Sequence, residues 1–360
     1  MADTVTDHAP GADKPAVGDV RANHRFDEVK LAAWLAANVE GFAGPMAVSQ
    51  FQRGASNPTF MITASGRRYV LRKKPPGQLL ASAHQVDREY RVMKALGGIG
   101  FPVPVMRGYC GDDAVIGTPF YVMDFLDGRI FRNARLPGMQ PAERAAIYDE
   151  LNAVMARLHS VDYQAIGLGD YGRPGNYFVR QIDRWTKQYR GAETGRIEAM
   201  EQLIEYLPKR MPADDTTTIA HGDYRLENVM YHPTEPRIIA VLDWELSTLG
   251  HPLADLGYGC ILWHSRSESW GTLDDLDLAA AGIPTEQAYV DAYCARTGRV
   301  IGDFDFYLGF SLFRLASIGQ GVFKRNLDGI GNADAGGDNS GTRLLAETAW
   351  AVLQRGHASA

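Results

Sequence analysis

Cysteine is scarce in this chain, and long apolar runs are missing from it. Three of the 360 residues are cysteine, and they lie far apart at Cys110, Cys260 and Cys294. These spacings fit neither a disulfide framework nor a zinc site, so we expect a reduced, cytoplasmic protein. No run of about 20 apolar residues occurs, so the sequence predicts no membrane span. Residues 1–25 lack an apolar core behind a basic head, and we interpret them as a flexible tail rather than a signal peptide.

An excess of positive charge is also missing. The chain has 37 Lys and Arg against 43 Asp and Glu, which gives a net charge of −6 and an isoelectric point near 5.9. This balance argues against a nucleic-acid partner. A hydrophobic fraction of 45% with 22% charged residues is typical of a folded globular protein. Because 360 residues exceed what one compact core usually holds, we expect two lobes.

Short apolar segments separated by glycine and proline follow the tail. Two helices are predicted among them, over 26–39, where Asp27 can cap the first turn, and over 82–96. The strand candidates are 47–52, 59–63, 69–72, 103–109 and 120–124. We therefore predict an α+β lobe over residues 26–125. It is built from a small antiparallel sheet that carries one helix between its strands, over 82–96.

The chain from 126 to 360 is mainly helical by pattern and is expected to form the second lobe. Its first helix, over 141–159, has a proline in its first turn and repeats apolar residues at helical spacing. Later helices are predicted to end near 189 and 207 and to dominate after 252, and short β-like segments occupy 219–221, 229–231 and 238–242. Residues 326–341 are rich in Gly, Asp and Asn, and we predict a mobile loop there.

Asp223 and Asn228 stand five residues apart in the segment HGDYRLEN, and Asp243 ends the apolar run that follows. Phosphoryl transfer needs a carboxylate that accepts the proton of the attacking hydroxyl, and oxygen ligands for Mg²⁺. Asp223 suits the first task. Asn228 and Asp243 suit the second, because Mg²⁺ prefers hard oxygen ligands. Asp and Asn also crowd ordinary turns, but the spacing of the second Asp and the upstream elements favour the catalytic interpretation.

The pattern His221-x-Asp223-x-x-x-x-Asn228, followed by an apolar strand that ends in Asp243, resembles the aminoglycoside-phosphotransferase-like branch of the protein-kinase-like fold. The resemblance implies a two-lobed α+β fold that uses ATP and Mg²⁺, with a small antiparallel-sheet lobe and a larger, mostly helical lobe. It also places Arg225 where many kinases keep a Lys that contacts the transferring phosphate. A Rossmann-type alternative lacks a G-x-G-x-x-G after a strand.

The same resemblance assigns upstream residues to the nucleotide. The assigned residues are Gly54, Ser56, Asn57, Arg72, Glu89, Met123, Asp124 and Leu126. The first three belong to a loop that covers the nucleotide, where small residues let amide N–H groups approach phosphates. The last three belong to the strand and hinge between the lobes, where backbone groups around Asp124 and Leu126 would bond the adenine edge and Met123 would line its pocket.

Arg72 takes the place of the strand lysine that kinases direct at the phosphates, and Glu89 takes the place of the helix glutamate that holds it. Alternation along the strand points Arg72 to the same face as Val70 and points Lys73 to the opposite face. Lys73 is therefore the second choice for this role. For both Lys73 and Lys74 we expect a solvated strand end.

Three further polar residues near the catalytic segment are interpreted as structural. These residues are His159, His221 and Asp255. A buried carboxylate must be satisfied by hydrogen bonds, so we expect Asp255 to bond backbone groups near the catalytic loop. Scaffolding of this kind would fix the loop without taking part in the chemistry.

Arg180, Arg184 and Lys187 fall at i, i+4 and i+7, on one face of a predicted helix before the catalytic segment. A solvated face is one explanation for this row. The other is an anion site for phosphates of an acceptor such as a CoA thioester.

The segments VLRKKPPG, SAHQVDREYR and LDWELSTLGHPLADL resemble the kinase domain that some proteins fuse to an acyl-CoA dehydrogenase. This likeness implies a small-molecule hydroxyl acceptor, typically a 4-hydroxyacyl-CoA, whose phosphate an acyl-CoA dehydrogenase-like partner later eliminates. The competing enzyme class is an aminoglycoside or choline-type amino-alcohol kinase. A nucleotide-binding pseudokinase is the non-enzyme alternative, and the intact Asp223, Asn228 and Asp243 argue against it.

Overall fold

The computed structural model describes residues 12–13, 16–52, 57–75, 85–266, 270–329 and 339–355. Two residues predicted to cover the nucleotide, Gly54 and Ser56, lie outside these ranges, as do residues 330–338 of the predicted mobile loop. Within the described ranges, no helix is both long and apolar enough to cross a membrane. The architecture there is α+β, with a small antiparallel sheet followed by a larger helical part, as the sequence predicts.

The sheet occupies the first part of the chain. The elements of this part of the chain are β1 (Ala12–Asp13), β2 (Val17–Gly18), α1 (Glu28–Asn38), β3 (Met46–Phe51), β4 (Thr59–Ala64), β5 (Arg67–Lys73), α2 (Val86–Gly98), β6 (Met106–Cys110), α3 (Asp113–Ile116) and β7 (Phe120–Asp124). The strand order is β2-β3-β4-β5-β7-β6, and each neighbouring pair is antiparallel. The five predicted strands are thus confirmed as β3 to β7. The prediction of a flexible tail up to residue 25 is wrong at 17–18, which pair with β3 as β2.

Alternation along the strands separates two faces of the sheet. On one face, Phe60, Leu71 and Val122 are in register and pack with the buried Leu31 and Leu35 of α1. Asp27 caps α1 as predicted, since its side chain accepts hydrogen bonds from the backbone N–H groups of the second and third helix residues at 3.0 Å. The opposite face carries Arg72 and its neighbours toward α2 and the second lobe.

Lys73 lies on the α1 side of the sheet and is 3% exposed, so the prediction of a solvated strand end is wrong for this residue. Its ammonium lies 5.2 Å from the ring centroid of Phe26, a cation–π distance. Burial lowers the pKa of Lys73. The same alternation that directs Arg72 into the cleft forces the next side chain into the apolar face, and Lys74 is half-buried beyond it.

The second part of the chain is built mainly from helices. Its elements are β8 (Ile130–Phe131), α4 (Pro141–His159), α5 (Tyr177–Ala192), α6 (Glu198–Tyr206), β9 (Thr218–Ala220), β10 (Val229–Tyr231), β11 (Ile238–Val241), β12 (Thr248–Gly250), α7 (Pro252–Gly259), α8 (Leu278–Ala281), α9 (Glu286–Thr297), α10 (Phe304–Leu327) and α11 (Ser340–Arg355). Helix α10 packs against α5, α7 and α11. The predicted loop over 326–341 is wrong at its ends, because α10 extends to Leu327 and α11 starts at Ser340.

Helix α2 ties the two parts together. By sequence it belongs to the sheet lobe, yet its buried Val92, Met93 and Leu96 belong to the same apolar cluster as Ile147 and Leu151 of α4. The sheet and α1 share a separate, smaller cluster. The cleft that carries the functional residues opens between the sheet and the short strands β10 and β11.

Candidate active site

A cleft of about 310 Å³ lies between the sheet and the β10–β11 hairpin. The sheet side contributes Val70, Arg72 and Met123, and the hairpin side contributes Asn228 and Asp243. Residues predicted from segments more than 150 positions apart therefore line one cavity. Such a concave site with convergent polar groups is the expected form of a small-molecule site.

The loop before the hairpin is held by Asp255, at the start of α7. Its carboxylate accepts the backbone N–H groups of His221 and Gly222 at 2.6 and 2.8 Å, and His159 Nε2 lies 3.3 Å away. Burial opposes the ionisation of Asp255, but the hydrogen bond to His159 and these donors hold the pKa of its carboxyl below its usual range. Gly222 has φ of +82°, and a Cβ there would lie 2.6 Å from the carbonyl oxygen of Leu246. The predicted scaffolding contact of Asp255 is confirmed.

Asp223 follows this anchored glycine and is fixed by its neighbours. Asn228 Nδ2 donates to Asp223 Oδ2 at 2.7 Å and to the Asp223 carbonyl at 2.8 Å. Arg225 Nε lies 3.3 Å from Asp223 Oδ1. Burial and the adjacent Asp223 carboxylate raise the pKa of the Tyr258 phenol. The orientation of the Asp223 carboxylate is therefore set by an amide on one side and a guanidinium on the other.

Asn228 and Asp243 are brought together by the hairpin, as predicted. Val229 of β10 is paired with Val241 of β11, and the Leu242 N–H donates to the Asn228 carbonyl at 2.8 Å. Asp243 then leaves the strand with a φ of +61°. The side-chain nitrogen of Asn228 donates hydrogen bonds to Asp223, so the side-chain oxygen of Asn228 is the atom left for a cation. One amide oxygen and one carboxylate fit Mg²⁺, which takes its remaining ligands from phosphate and water.

Arg72 lies at the centre of a cluster of carboxylates. Its guanidinium is 3.3 Å from Glu89 on α2, 2.8 Å from Asp243 and 3.3 Å from Glu245. The side chains of Arg72 and Glu89 are 13% and 1% exposed, so this pair is largely shielded from water. The structure thus brings Arg72, rather than Lys73, to the cleft and pairs it with the predicted helix glutamate.

Glu89 is held by two further side chains. Tyr121 OH and Asn57 Nδ2 each donate to its carboxylate at 2.9 Å. Burial raises the pKa of the Glu89 carboxyl, and the charge of Arg72 offsets this only in part. Asn57, predicted to cover the nucleotide, therefore also orients the residue that holds Arg72. The roles of Gly54 and Ser56 stay predictions.

The predicted hinge follows β7 along the edge of the cleft. Met123, Asp124 and Leu126 all line the cavity. The Asp124 carboxylate accepts two hydrogen bonds from Arg107, at 2.7 and 2.6 Å, and the Asp124 N–H donates to the Val105 carbonyl at 2.9 Å. The predicted contact with an adenine edge therefore depends on backbone groups other than the Asp124 N–H.

The three cations of the predicted basic row on α5 have different partners. Arg180 donates to the carbonyls of Gly175 and Arg173 in the preceding loop. Lys187 is paired with Asp183 at 2.8 Å on the solvent side. Arg184 differs from both, because its guanidinium lies 5.3 Å from the ring centroid of its neighbour Trp185.

Sequence reasoning missed two residues around Asp223. Tyr258, near the end of α7, lies beside the Asp223 carboxylate, and Arg314 of α10 lies 5.3 Å from the Tyr258 ring centroid. A signal for Arg314 was available, since it is the single charge in the apolar stretch FYLGFSLFRLASIGQGVF. No comparable signal marks Tyr258, because an aromatic residue on a buried helix face is typical of a core.

Comparison with curated proteins finds relatives that share most of this chain. It is 48% identical over 312 residues to acyl-CoA dehydrogenase family member 10 of Mus musculus, covering 85% of this chain and 29% of the mouse protein. It is 43% identical over 338 residues to family member 11 of Homo sapiens, covering 90% of this chain and 43% of the human protein. The chain thus spans less than half the length of these relatives. Their names agree with the resemblance to the kinase domain that is fused to acyl-CoA dehydrogenases.

Solved structures extend the comparison. A putative aminoglycoside phosphotransferase from Ralstonia eutropha is 52% identical, with a TM-score of 0.84, covering 92% of this chain and 99% of that one. A thermostable aminoglycoside phosphotransferase mutant, solved with ADP and hygromycin B, shares the fold at 14% identity, with a TM-score of 0.58, covering 90% and 98%. A profile of the phosphotransferase enzyme family, APH, matches residues 47–293, which is more than half of the chain. The chain belongs to the phosphotransferase enzyme family, with the protein-kinase-like fold that its catalytic segment predicts.

Proposed function

We propose that this phosphotransferase uses ATP and Mg²⁺ and transfers the γ-phosphoryl group to the hydroxyl of a hydroxyacyl-CoA. The observation that carries the proposal is one cleft lined by Arg72, Asn228 and Asp243, in which Asn228 holds Asp223 and Glu89 holds Arg72. Bound Mg²⁺-ATP would supply the phosphoryl group and the neutralisation of its charge. The protein's own contribution is to position groups and to accept one proton.

Each polar residue of the cleft has a distinct task in this proposal. Asp223 accepts the proton of the acceptor hydroxyl, and its contacts with Asn228 and Arg225 fix the orientation of its carboxylate. Asp243 and the Asn228 amide oxygen would hold the metal. Arg72, fixed by Glu89, would contact the phosphates, and Arg225 would contact the transferring group.

The hydroxyacyl-CoA acceptor is supported by the names of the curated relatives, which are acyl-CoA dehydrogenase family members. A kinase region and a dehydrogenase region in one protein are expected to act on the same class of compound. We infer that an acyl-CoA dehydrogenase-like enzyme consumes the phosphorylated product. The fold neighbour solved with ADP and hygromycin B supports the use of an adenine nucleotide.

The test is transfer of label from γ-labelled ATP, with Mg²⁺, to a panel of acceptors. The panel contains 3-, 4- and 5-hydroxyacyl-CoAs, the free hydroxy acids, an aminoglycoside and choline. We expect label on a hydroxyacyl-CoA, and we expect Asp223→Asn to slow its transfer by about 10²- to 10⁴-fold. Label on the aminoglycoside or choline alone would reject the proposed acceptor while keeping the phosphotransferase activity.

A further inference from the structure

Arg314 is a cation in the middle of the apolar helix α10, and it is 5% exposed. Its guanidinium carbon lies 5.4 Å from a ring centroid of Trp185 on α5 and 5.3 Å from that of Tyr258 on α7. Across the residues that the structure describes, no carboxylate pairs with Arg314, and its Nε is buried without a hydrogen-bond acceptor. Cation–π contacts offset only part of the cost of burying a charge, so this environment favours a bound oxygen ligand.

A second guanidinium shares the same aromatic ring. The Arg184 guanidinium carbon lies 5.3 Å from the Trp185 ring centroid. Partial burial and the nearby charge of Arg314 lower the pKa of Arg184. Two like charges on one ring repel each other, and an anionic or strongly polar oxygen between them would relieve that repulsion.

Tyr258 connects this pair of arginines to the catalytic loop. The charges of Asp223 and Arg314 both act on its phenol, so the ring borders the two residues. Arg314 does not line the cleft between the sheet and the hairpin, which is the nucleotide side. One side chain, that of Tyr258, separates Arg314 from the proton acceptor Asp223.

We propose that Arg314, assisted by Arg184, binds the acyl oxygen of the acceptor, either the carbonyl of a thioester or the carboxylate of a free hydroxy acid. A guanidinium suits this task, because its N–H donors form charge-assisted hydrogen bonds to such oxygens. The proposal rests on the proposed function and deepens it. It places the hydroxyl of the acceptor at Asp223 and the acyl oxygen at Arg314, and it disfavours a polycationic acceptor at this position.

Equilibrium binding in the presence of Mg²⁺ and ADP tests the proposal independently of turnover. The probes are 4-hydroxybutyryl-CoA, the N-acetylcysteamine thioester of the same acid, and free 4-hydroxybutyrate. Arg314→Met keeps the length of the side chain and its packing between the rings but removes the donors. We expect it to weaken binding of at least one probe by about 10- to 100-fold, the loss typical of a charged hydrogen bond. Arg314→Lys, which keeps the charge without the planar fork, should fall between the wild type and Arg314→Met.

The chain offers a matched control for the stacking. Arg210 also stacks on an aromatic ring, with its guanidinium carbon 5.8 Å from the Tyr206 ring centroid, but it is paired with Asp303 at 3.1 Å. Arg210→Met should leave the binding of every probe unchanged. Affinity for ADP, measured on each variant, reports whether the fold is intact.

The probes also separate the possible sources of the oxygen. Weakening confined to the two thioesters identifies a thioester carbonyl, and weakening confined to 4-hydroxybutyrate identifies a carboxylate. If no probe binds the wild type, or if Arg314→Met binds all probes as Arg210→Met does, the role of Arg314 is wrong. Binding that depends on Arg314 without any phosphoryl transfer would instead reject the proposed function and keep the acyl-oxygen site.

Discussion

The guanidinium of Arg72 lies 3.3 Å from the carboxylate of Glu89, and it links α2 to Asp243 in the cleft. Two other carboxylates, those of Asp243 and Glu245, contact the same guanidinium. Glu89 is the most buried of the three, at 1% exposure. It is therefore the carboxylate of the three that is best shielded from water.

Glu89→Gln should raise KM for ATP by about tenfold, because one charged hydrogen bond is lost. The KM for the acceptor should change little. The amide keeps hydrogen-bonding groups for Tyr121 and Asn57 but no longer holds Arg72 by charge. Steady-state kinetics with each substrate varied in turn measures the effect. Asp170→Asn is the control, because the Asp170–Arg91 pair is exposed and such pairs contribute little. An equal change in both KM values would contradict the assignment of Glu89 to the nucleotide side.

Asp223→Asn should lower kcat by about 10²- to 10⁴-fold, the usual contribution of a positioned proton acceptor. The substitution is isosteric, and the amide oxygen can still accept the hydrogen bond from Asn228. ADP affinity should therefore stay close to that of the wild type, which titration calorimetry can measure. Asp149→Asn, in a surface pair with Arg296, is a control with the same chemical change. A kcat within a few-fold of wild type would mean that another group accepts the proton.

Asp243→Asn should raise the Mg²⁺ concentration that gives the half-maximal rate by more than about tenfold. Even residues that only hydrogen-bond a metal ligand change metal affinity by about that factor. The loss of one carboxylate charge weakens a site that has one other protein ligand in this proposal, the Asn228 amide oxygen. Glu245→Gln is a close control, because Glu245 contacts the same Arg72 guanidinium at a similar distance. Chelation of Mg²⁺ should stop the wild type as well. Equal Mg²⁺ requirements of the two variants would argue against Asp243 as a ligand.

His251 should make the stability of the fold depend on pH. Its Nδ1 accepts the Leu253 N–H at 3.2 Å and caps α7, while Nε2 contacts Asp214 at 3.2 Å. Burial lowers the pKa of His251, and the charge of Asp214 opposes this only in part. Its stabilising contribution is therefore complete above the unfolded-state pKa of about 6.5 and is lost as the pH falls through the folded-state value.

Within that window the free energy of unfolding should fall by about 1.4 kcal/mol per pH unit from this group. Asn can cap a helix but does not titrate, so His251→Asn should flatten the profile below about pH 6.5. Denaturant unfolding at a series of pH values measures the slope. Replacement of His264, which contacts Glu286 at 2.9 Å on another element, controls for general acid effects. An unchanged slope in His251→Asn would show that His251 is not the titrating group.

The residues proposed for proton and metal chemistry could be read from the sequence because they lie in one continuous segment. Asp223, Asn228 and Asp243 are separated by a turn and a short hairpin, so local chain geometry fixes their relation. Strand alternation likewise predicted correctly that Arg72 and Lys73 point to opposite faces of the sheet. It could not reveal that the second face is covered by α1 and Phe26, and the prediction for Lys73 failed for that reason.

Contacts between distant helices were beyond any pattern in the sequence. Arg314 approaches Trp185 and Tyr258 because α10 packs against both α5 and α7. Side-chain periodicity predicts that a helix has a buried face, but it does not identify the helix that covers it. The partners of Arg180 and Lys187 lie close to them in the chain instead, and these local contacts leave Arg184 as the distinctive residue of the predicted row.

The sequence alone determined the reaction class, the order of the elements and the catalytic segment, because each depends on residues close together in the chain. The tertiary structure decided which charges are compensated. Whether a cation is solvated, paired with a carboxylate or left for a ligand depends on which elements pack around it, and that packing joins residues more than 100 positions apart. Arg72 and Arg314 show the last two of these outcomes, one surrounded by carboxylates and the other by aromatic rings.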